Sequence, residues 1–376
     1  MSTLPTSPPA PYLYLRGLRH VAHTVFAVQD GQKVYRDPQF GILQAYSSGQ
    51  QVKRSILESF TTALAAPVAP ITFNWQVKTS GRKRGKAAES SPVQFEQKEA
   101  WSPCDPSYVD QLIGGYMRAE PGHPVIKRRS PLSISAMRPL HPLLGGLERE
   151  RENMTFDRTD HAGHHPVRVR NEDGQELSVS AVAELLVNAN RSLPNRVWIP
   201  DQTRATGLFV YDVCVDLRTL FCVSLNVLEP EVRPEVREAL LAAGWTRTVN
   251  HFGVALLAPA ALRAQAIPAL AAALLDWRIT TNQSRTFSLM ETLAVAISDG
   301  ANEVAGAIRG QLRGDAERPS ARPVLDAEAG AALFIGLPAE GYIAGVTGQA
   351  KALQRAQEAI VKRLQAFNYE HQLPVS

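Results

Sequence analysis

The residues best equipped for chemistry gather in DRTDHAGHH, Asp157 to His165. Asp160, His161, His164 and His165 are hard and borderline metal ligands, and a cation held there would suit a metal-dependent hydrolase. The spacing argues against it. No H-E-x-x-H helix surrounds these residues, and Gly163 with Pro166 opposes helical presentation. Asp30 and Asp37, after the first apolar stretch, are the other acid candidates; beside Gly and Pro they read as turn formers. His20 and His23 lie three apart in an extended stretch and so on opposite faces. The phosphate-cradling G-x-x-x-x-G-K-[ST] loop, the G-x-G-x-x-G turn and the G-x-S-x-G elbow are all missing. We therefore expect no catalytic residue, no metal and no cofactor.

A second kind of chemistry, anion binding, has better support. In AYSSGQQVKRSILESF (45–60), Ser48 and Gln51 fit a capping box. Val52, Ile56 and Phe60 recur every four residues and predict an apolar helix face. The first turn carries no acid to complement the positive end of the helix dipole, and Lys53 and Arg54 come early instead. Backbone N–H groups at such a helix start, with Ser47, Ser48 and the amides of Gln50 and Gln51, offer donors to a phosphate. Arg54 has Glu58 at i+4 as a partner. Lys53 has Leu57 there, hence none.

Forty Lys and Arg against 36 Asp and Glu, with a pI near 9.0, permit a polyanionic partner. Lys78, Arg82, Lys83, Arg84 and Lys86 fall together without an acid, and Lys127, Arg128 and Arg129 form a second cluster. With the helix start they suggest a track for a single-stranded backbone. The aromatic signature of base-stacking RNA-recognition sheets is absent. Three scattered cysteines, Cys104, Cys214 and Cys222, oppose a disulfide framework and suit the cytoplasm. Neither a signal peptide nor an apolar run long enough to cross a membrane is legible.

The elements that must position these residues read as α+β. Residues 1–11 form a loose Pro/Ser/Thr-rich arm, and 12–28 a long first strand. After the helix come a strand at 71–79, a polar loop at 81–92, a short helix over 106–119 and a strand over 125–137 beginning near Pro131. From 139 to 205 the pattern breaks into a charge-dense insertion with one helical stretch, 178–189. Residues 207–227 predict two strands or one bent strand. Helices are expected at 233–244, 259–276 and 286–297 and at the C-terminus, where Leu353, Ile360, Leu364 and Phe367 form a stripe.

AYSSGQQVKRSIL resembles the Ser-Ser-Gln…Lys-Arg helix start of the crRNA-binding backbone subunits of CRISPR Cascade complexes. VYRDPQFG is similar to an Arg-Asp-Pro…Gly turn of the wider RAMP superfamily. LIGGYMRA with VIKRRSPLSISAM resembles segments of its DevR-like branch. The three matches stand in the expected order over roughly residues 12–140. The resemblance implies a modified ferredoxin-like (RRM-like) palm, residues 12–138 and 206–376, with a large inserted thumb and finger region, 139–205. Copies would stack helically along the guide RNA and leave most bases free to pair with target DNA. They would assemble with a large subunit and with RAMP subunits that bind the crRNA ends. It implies RNA contacts for Ser47, Ser48, Gln50 or Gln51, Lys53 and Arg54, and places Met137 and Arg138 near a displaced base. Lys127, Arg128 and Arg129 would join this track, with Arg82, Lys83 and Arg84 as further contacts. SSGQQVKR carries one residue more than the commoner spacing. Some related subunits cleave target RNA with a loop Asp, for which Asp30 is the candidate here.

Overall fold

The computed structural model describes residues 10–26, 32–72, 75–76, 94–95, 102–119, 123–149, 168–171, 173–190, 203–280, 286–314 and 319–372. The chain is α+β. It divides into two compact units, residues 1–147 with 205–376, and residues 148–204.

The first unit is organised on a seven-stranded sheet. In chain order its strands are β1 (Tyr12–Thr24), β2 (Leu132–Ile134), β3 (Arg138–Pro139), β4 (Gly145–Arg149), β5 (Thr203–Asp216), β6 (Thr292–Ser298) and β7 (Ala332–Ile335). The order across the sheet is β4-β5-β1-β6-β7, with β2 and β3 also pairing along β5. β1 is central and antiparallel to both neighbours; Leu15 stands opposite Val213 on one side and Ile297 on the other.

Alternation along these strands produces two apolar faces. Leu13 and Leu15 of β1, Phe209, Tyr211, Val213 and Val215 of β5, and Val295 and Ile297 of β6 enter one core. Helices α1 (Gly49–Ala63), α5 (Ala260–Leu275) and α7 (Ala352–Ala366) cover it. Leu18, Leu208, Val210, Ala294 and Ala296 point the other way, toward α6 (Ala301–Ala307) and the short turn containing Ala339 and Ile343. The other helices are α2 (Val109–Gly114), α3 (Val179–Asn188) and α4 (Pro234–Ala242).

Several expectations are corrected. Residues 106–119 are not one helix: α2 ends at Gly115, whose φ of +73° leads into the strand Tyr116–Arg118, paired with Ile126–Arg128. A side chain there would also meet the Arg128 carbonyl at 2.7 Å. The stretch 125–137 breaks at Pro131 into Ile126–Arg128 and β2. Residues 207–227, expected as two strands or one bent strand, are two: the end of β5 and a second strand, Cys222–Ser224, in a separate three-stranded sheet. Where a helix was expected at 286–297 lies β6, because six consecutive residues buried on both faces of a strand flanked by β1 and β7 show no alternation. Of the expected strand at 71–79, residues 71–72 and 75–76 are among the described residues, and Trp75–Gln76 pairs with Gln94–Phe95.

Candidate nucleic-acid interface

The start of α1 is fixed from three directions. Ser48 caps it, its Oγ accepting the Gln51 N–H at 3.4 Å. Ser47 pairs with Met137 through two backbone hydrogen bonds of 3.0 Å, which ties the chain to the sheet edge just before the helix begins. Gly49 lies so close to that edge that a Cβ would meet the Ile134 carbonyl oxygen at 2.9 Å. Val52, Ile56 and Phe60 are fully buried and hold the helix against the sheet.

No acid stands in the first turn. Gln50 is exposed, Gln51 and Lys53 are partly buried, and the Ser47 hydroxyl is buried with no hydrogen-bond partner among the described residues. Lys53 makes no ion pair among the described residues. Burial holds its ammonium below the usual lysine range. A partly desolvated cation one turn into a helix, near unsatisfied N–H groups, is a place for an anion. Arg54 differs. It pairs with Glu58 at 2.7 Å, the two side chains 62% and 50% exposed, so its charge is answered within the helix.

The second basic cluster divides by strand alternation. Lys127 and Arg129 are exposed; Arg128, expected among the RNA contacts, points inward and is 2% exposed. Its guanidinium donates to the carbonyls of Leu112, Cys222 and Thr219 at 2.7–3.0 Å and pairs with Glu231 at 2.9 Å. Arg128 therefore clamps α2 to the loop before Cys222; four of its five N–H donors are engaged inside the fold, and its burial keeps it from a backbone phosphate at the surface. Arg82, Lys83 and Arg84 lie outside the described residues.

Met137 and Arg138 also part. Met137 is fully buried in the core beneath α1, so it is not a surface wedge here. The side chain of Arg138 is 42% exposed and approaches Asp212 Oδ2 at 3.3 Å. Asp212 is already held by Arg16, at 2.6 Å from Nε and 3.1 Å from Nη2. One carboxylate between two guanidiniums leaves net positive charge at the surface. Sequence reading missed Arg16 and Asp212. They meet because β1 and β5 pair across 196 residues of chain, a distance over which no local pattern speaks.

The rival chemistries fare differently. Asp37 is a turn former, its Oδ1 accepting the N–H groups of Gln39 and Phe40 at 3.0 and 2.8 Å. His20 stacks on Tyr342 with ring centroids 3.9 Å apart and meets Glu291 Oε1 at 3.1 Å. Asp30 and the stretch 157–165, including Asp160, His161, His164 and His165, lie outside the described residues. Among the described residues no three His, Cys, Asp or Glu side chains converge as metal ligands. No described helix is long and apolar enough to cross a membrane.

The sequence matches no protein-family model, and no curated protein is significantly similar to it. Among solved structures the chain is similar to one described as "CRISPR RNA-guided surveillance complex, pre-nicking". That match covers 94% of this chain and 88% of the other, at 11% identity and a TM-score of 0.39. A second, "CRISPR RNA-guided surveillance complex", is matched over 94% of this chain and 84% of the other, at 11% identity and a TM-score of 0.36. Likeness this slight lends neither neighbour's role to the chain.

Proposed function

We propose that the chain is a crRNA-binding backbone subunit of a Cascade-type CRISPR interference complex. In this reading it is a scaffold, not an enzyme. Copies bind head to tail along the guide spacer in the cytoplasm, beside a large subunit and crRNA-end-binding subunits, and present the guide for pairing with target DNA. The β1-centred sheet serves as a modified ferredoxin-like palm, with the insertion as thumb and finger. The observation that carries the proposal is Lys53: a half-buried lysine without a counter-ion among the described residues, at the acid-free start of a capped helix. It stands within the first of three ordered segments that resemble the family. The N–H groups of the first turn, with Ser48, Gln50, Gln51 and Lys53, grip guide phosphates and riboses; Lys127, Arg129 and Arg138 extend the track. Protein contacts set register while base pairing reads sequence.

Lys53→Met tests the reading, because it keeps the aliphatic stem and removes only the charge. The variant should melt no lower than the parent, since an unpaired, partly buried cation is lost. It should bind single-stranded RNA roughly three- to tenfold more weakly, with a salt slope shallower by about 0.7, the loss of one phosphate contact. Lys53→Glu should bind more weakly still. Unaltered affinity and slope in both variants, measured by fluorescence anisotropy, would remove the helix start from the interface.

A further inference from the structure

The hairpin formed by Ile308–Arg313 and Ser320–Leu325 takes no part in the interface described above. Its register sets Arg309 opposite Val324, Gln311 opposite Arg322 and Arg313 opposite Ser320, so three arginines share one face. Arg322 Nε donates to Gln311 Oε1 across the strands at 2.8 Å. The root of the hairpin is clamped. Arg309 Nη1 bonds Asp326 at 3.0 Å, the Asp326 N–H donates to the Ala307 carbonyl at 2.8 Å, and Arg16 Nη1 donates to the Ile308 carbonyl at 3.1 Å. Farther out, Arg313 and Arg322 are exposed and make no ion pair among the described residues. The connecting residues 315–318, with Asp315, Glu317 and Arg318 in their sequence, lie outside the described residues.

The root adjoins Arg138. Contacts run from Arg138 through Asp212 and Arg16 to Ile308, and Gly310 packs against His141, where a Cβ would come within 2.6 Å of the His141 Cβ. The arginine face offers guanidinium, amide and hydroxyl donors, while Leu312, Pro323 and Leu325 lie on the opposite face. The one apolar side chain on that donor face is Val324, at the clamped root opposite Arg309, and the outer part around Arg313 and Arg322 offers a protein partner no apolar centre. A phosphodiester backbone needs none.

We propose that this face is a second phosphate-binding site, which holds the backbone of a single-stranded nucleic acid through Arg313 and Arg322. It extends the RNA reading but does not depend on Lys53. The test titrates fluorescein-labelled polyuridylate over a salt series with the full chain, Arg313→Ala/Arg322→Ala, Arg313→Lys/Arg322→Lys and Lys53→Met. Both arginines are exposed and neither holds the root, so melting temperatures should not change; Arg313→Glu alone gives a second, independent variant. The double alanine variant should lower the slope of log affinity against log salt by about 1.4, two contacts at about 0.7 each. The lysine variant should keep the parental slope, and Arg313→Glu should weaken binding several-fold. Parental slopes in the double alanine and glutamate variants, with Lys53→Met weakened, would overturn the hairpin site and leave the guide-binding reading standing. A reduced slope in the alanine variant with Lys53→Met unaffected would sustain the hairpin and sink the helix-start site. A parent chain that does not bind RNA overturns both.

Discussion

Arg19 is fully buried, yet its guanidinium makes no ion pair among the described residues. It donates instead to the carbonyls of Trp277 and Leu275 at 2.7 and 3.0 Å, at the C-terminal, negative end of α5. The Trp277 ring lies 4.0 Å and the Tyr211 ring 5.1 Å from its Cζ. Burial lowers its pKa to about 10, so it remains charged at neutral pH. Lys53 stands at the opposite kind of helix end, where carbonyls are not on offer, and its depressed pKa has burial as its cause. A phosphate would raise that pKa again. The free ammonium thus deprotonates first, and RNA affinity is complete below the free-state pKa and falls as pH rises through it. With 2′-O-methyl RNA, which resists alkali, affinity should decline from neutral to alkaline pH in the parent. In Lys53→Met that decline should be shallower. A parallel decline in both proteins would separate the pH dependence from Lys53.

At the scale of elements, α1 was legible because everything that starts it is local: the Ser48 cap, the Gln at its third position and the four-residue apolar spacing. Ser48→Ala should therefore destabilise the fold by about 1 kcal/mol, and Ser48→Gly by only a few tenths, in urea melts. Equal melts for all three proteins would mean that the Ser47–Met137 pairing alone fixes the helix start. Other elements were not legible because distant chain decides them. β6 reads as a helix segment until β1 and β7 flank it. The strand Tyr116–Arg118 reads as a continuation of α2 until Gly115 turns the chain onto Ile126–Arg128. The candidate site shows the same division. Ser48 and Lys53 stand where local pattern put them. Arg128 and Met137 were drawn inward by alternation and by a bridge that only the folded edge creates.

At the scale of the whole molecule, the loss of pattern over 139–205 overlaps the second compact unit, residues 148–204, while residues 139–147 cluster with the first unit. The Leu208 N–H donates to the Leu144 carbonyl at 3.0 Å, and Gly146 faces Thr206 across the strands. The chain ends left by removing 148–204 are therefore neighbours, and a short turn can join them. That deletion should leave a cooperative thermal transition, since both cores of the sheet lie outside the excised segment. A molten, non-cooperative product would show that the insertion is needed for folding. The central place of β1 has a temporal consequence. The strand is made before every other strand of its sheet, but β5 follows almost 180 residues later and β6 later still. Until then both of its hydrogen-bonding edges are unpaired, and most of the chain must be synthesised before the sheet can close. Such a protein is slow to mature and is exposed to aggregation during translation. Its yield in the cell is expected to depend on chaperone capacity more than on the stability of the finished fold.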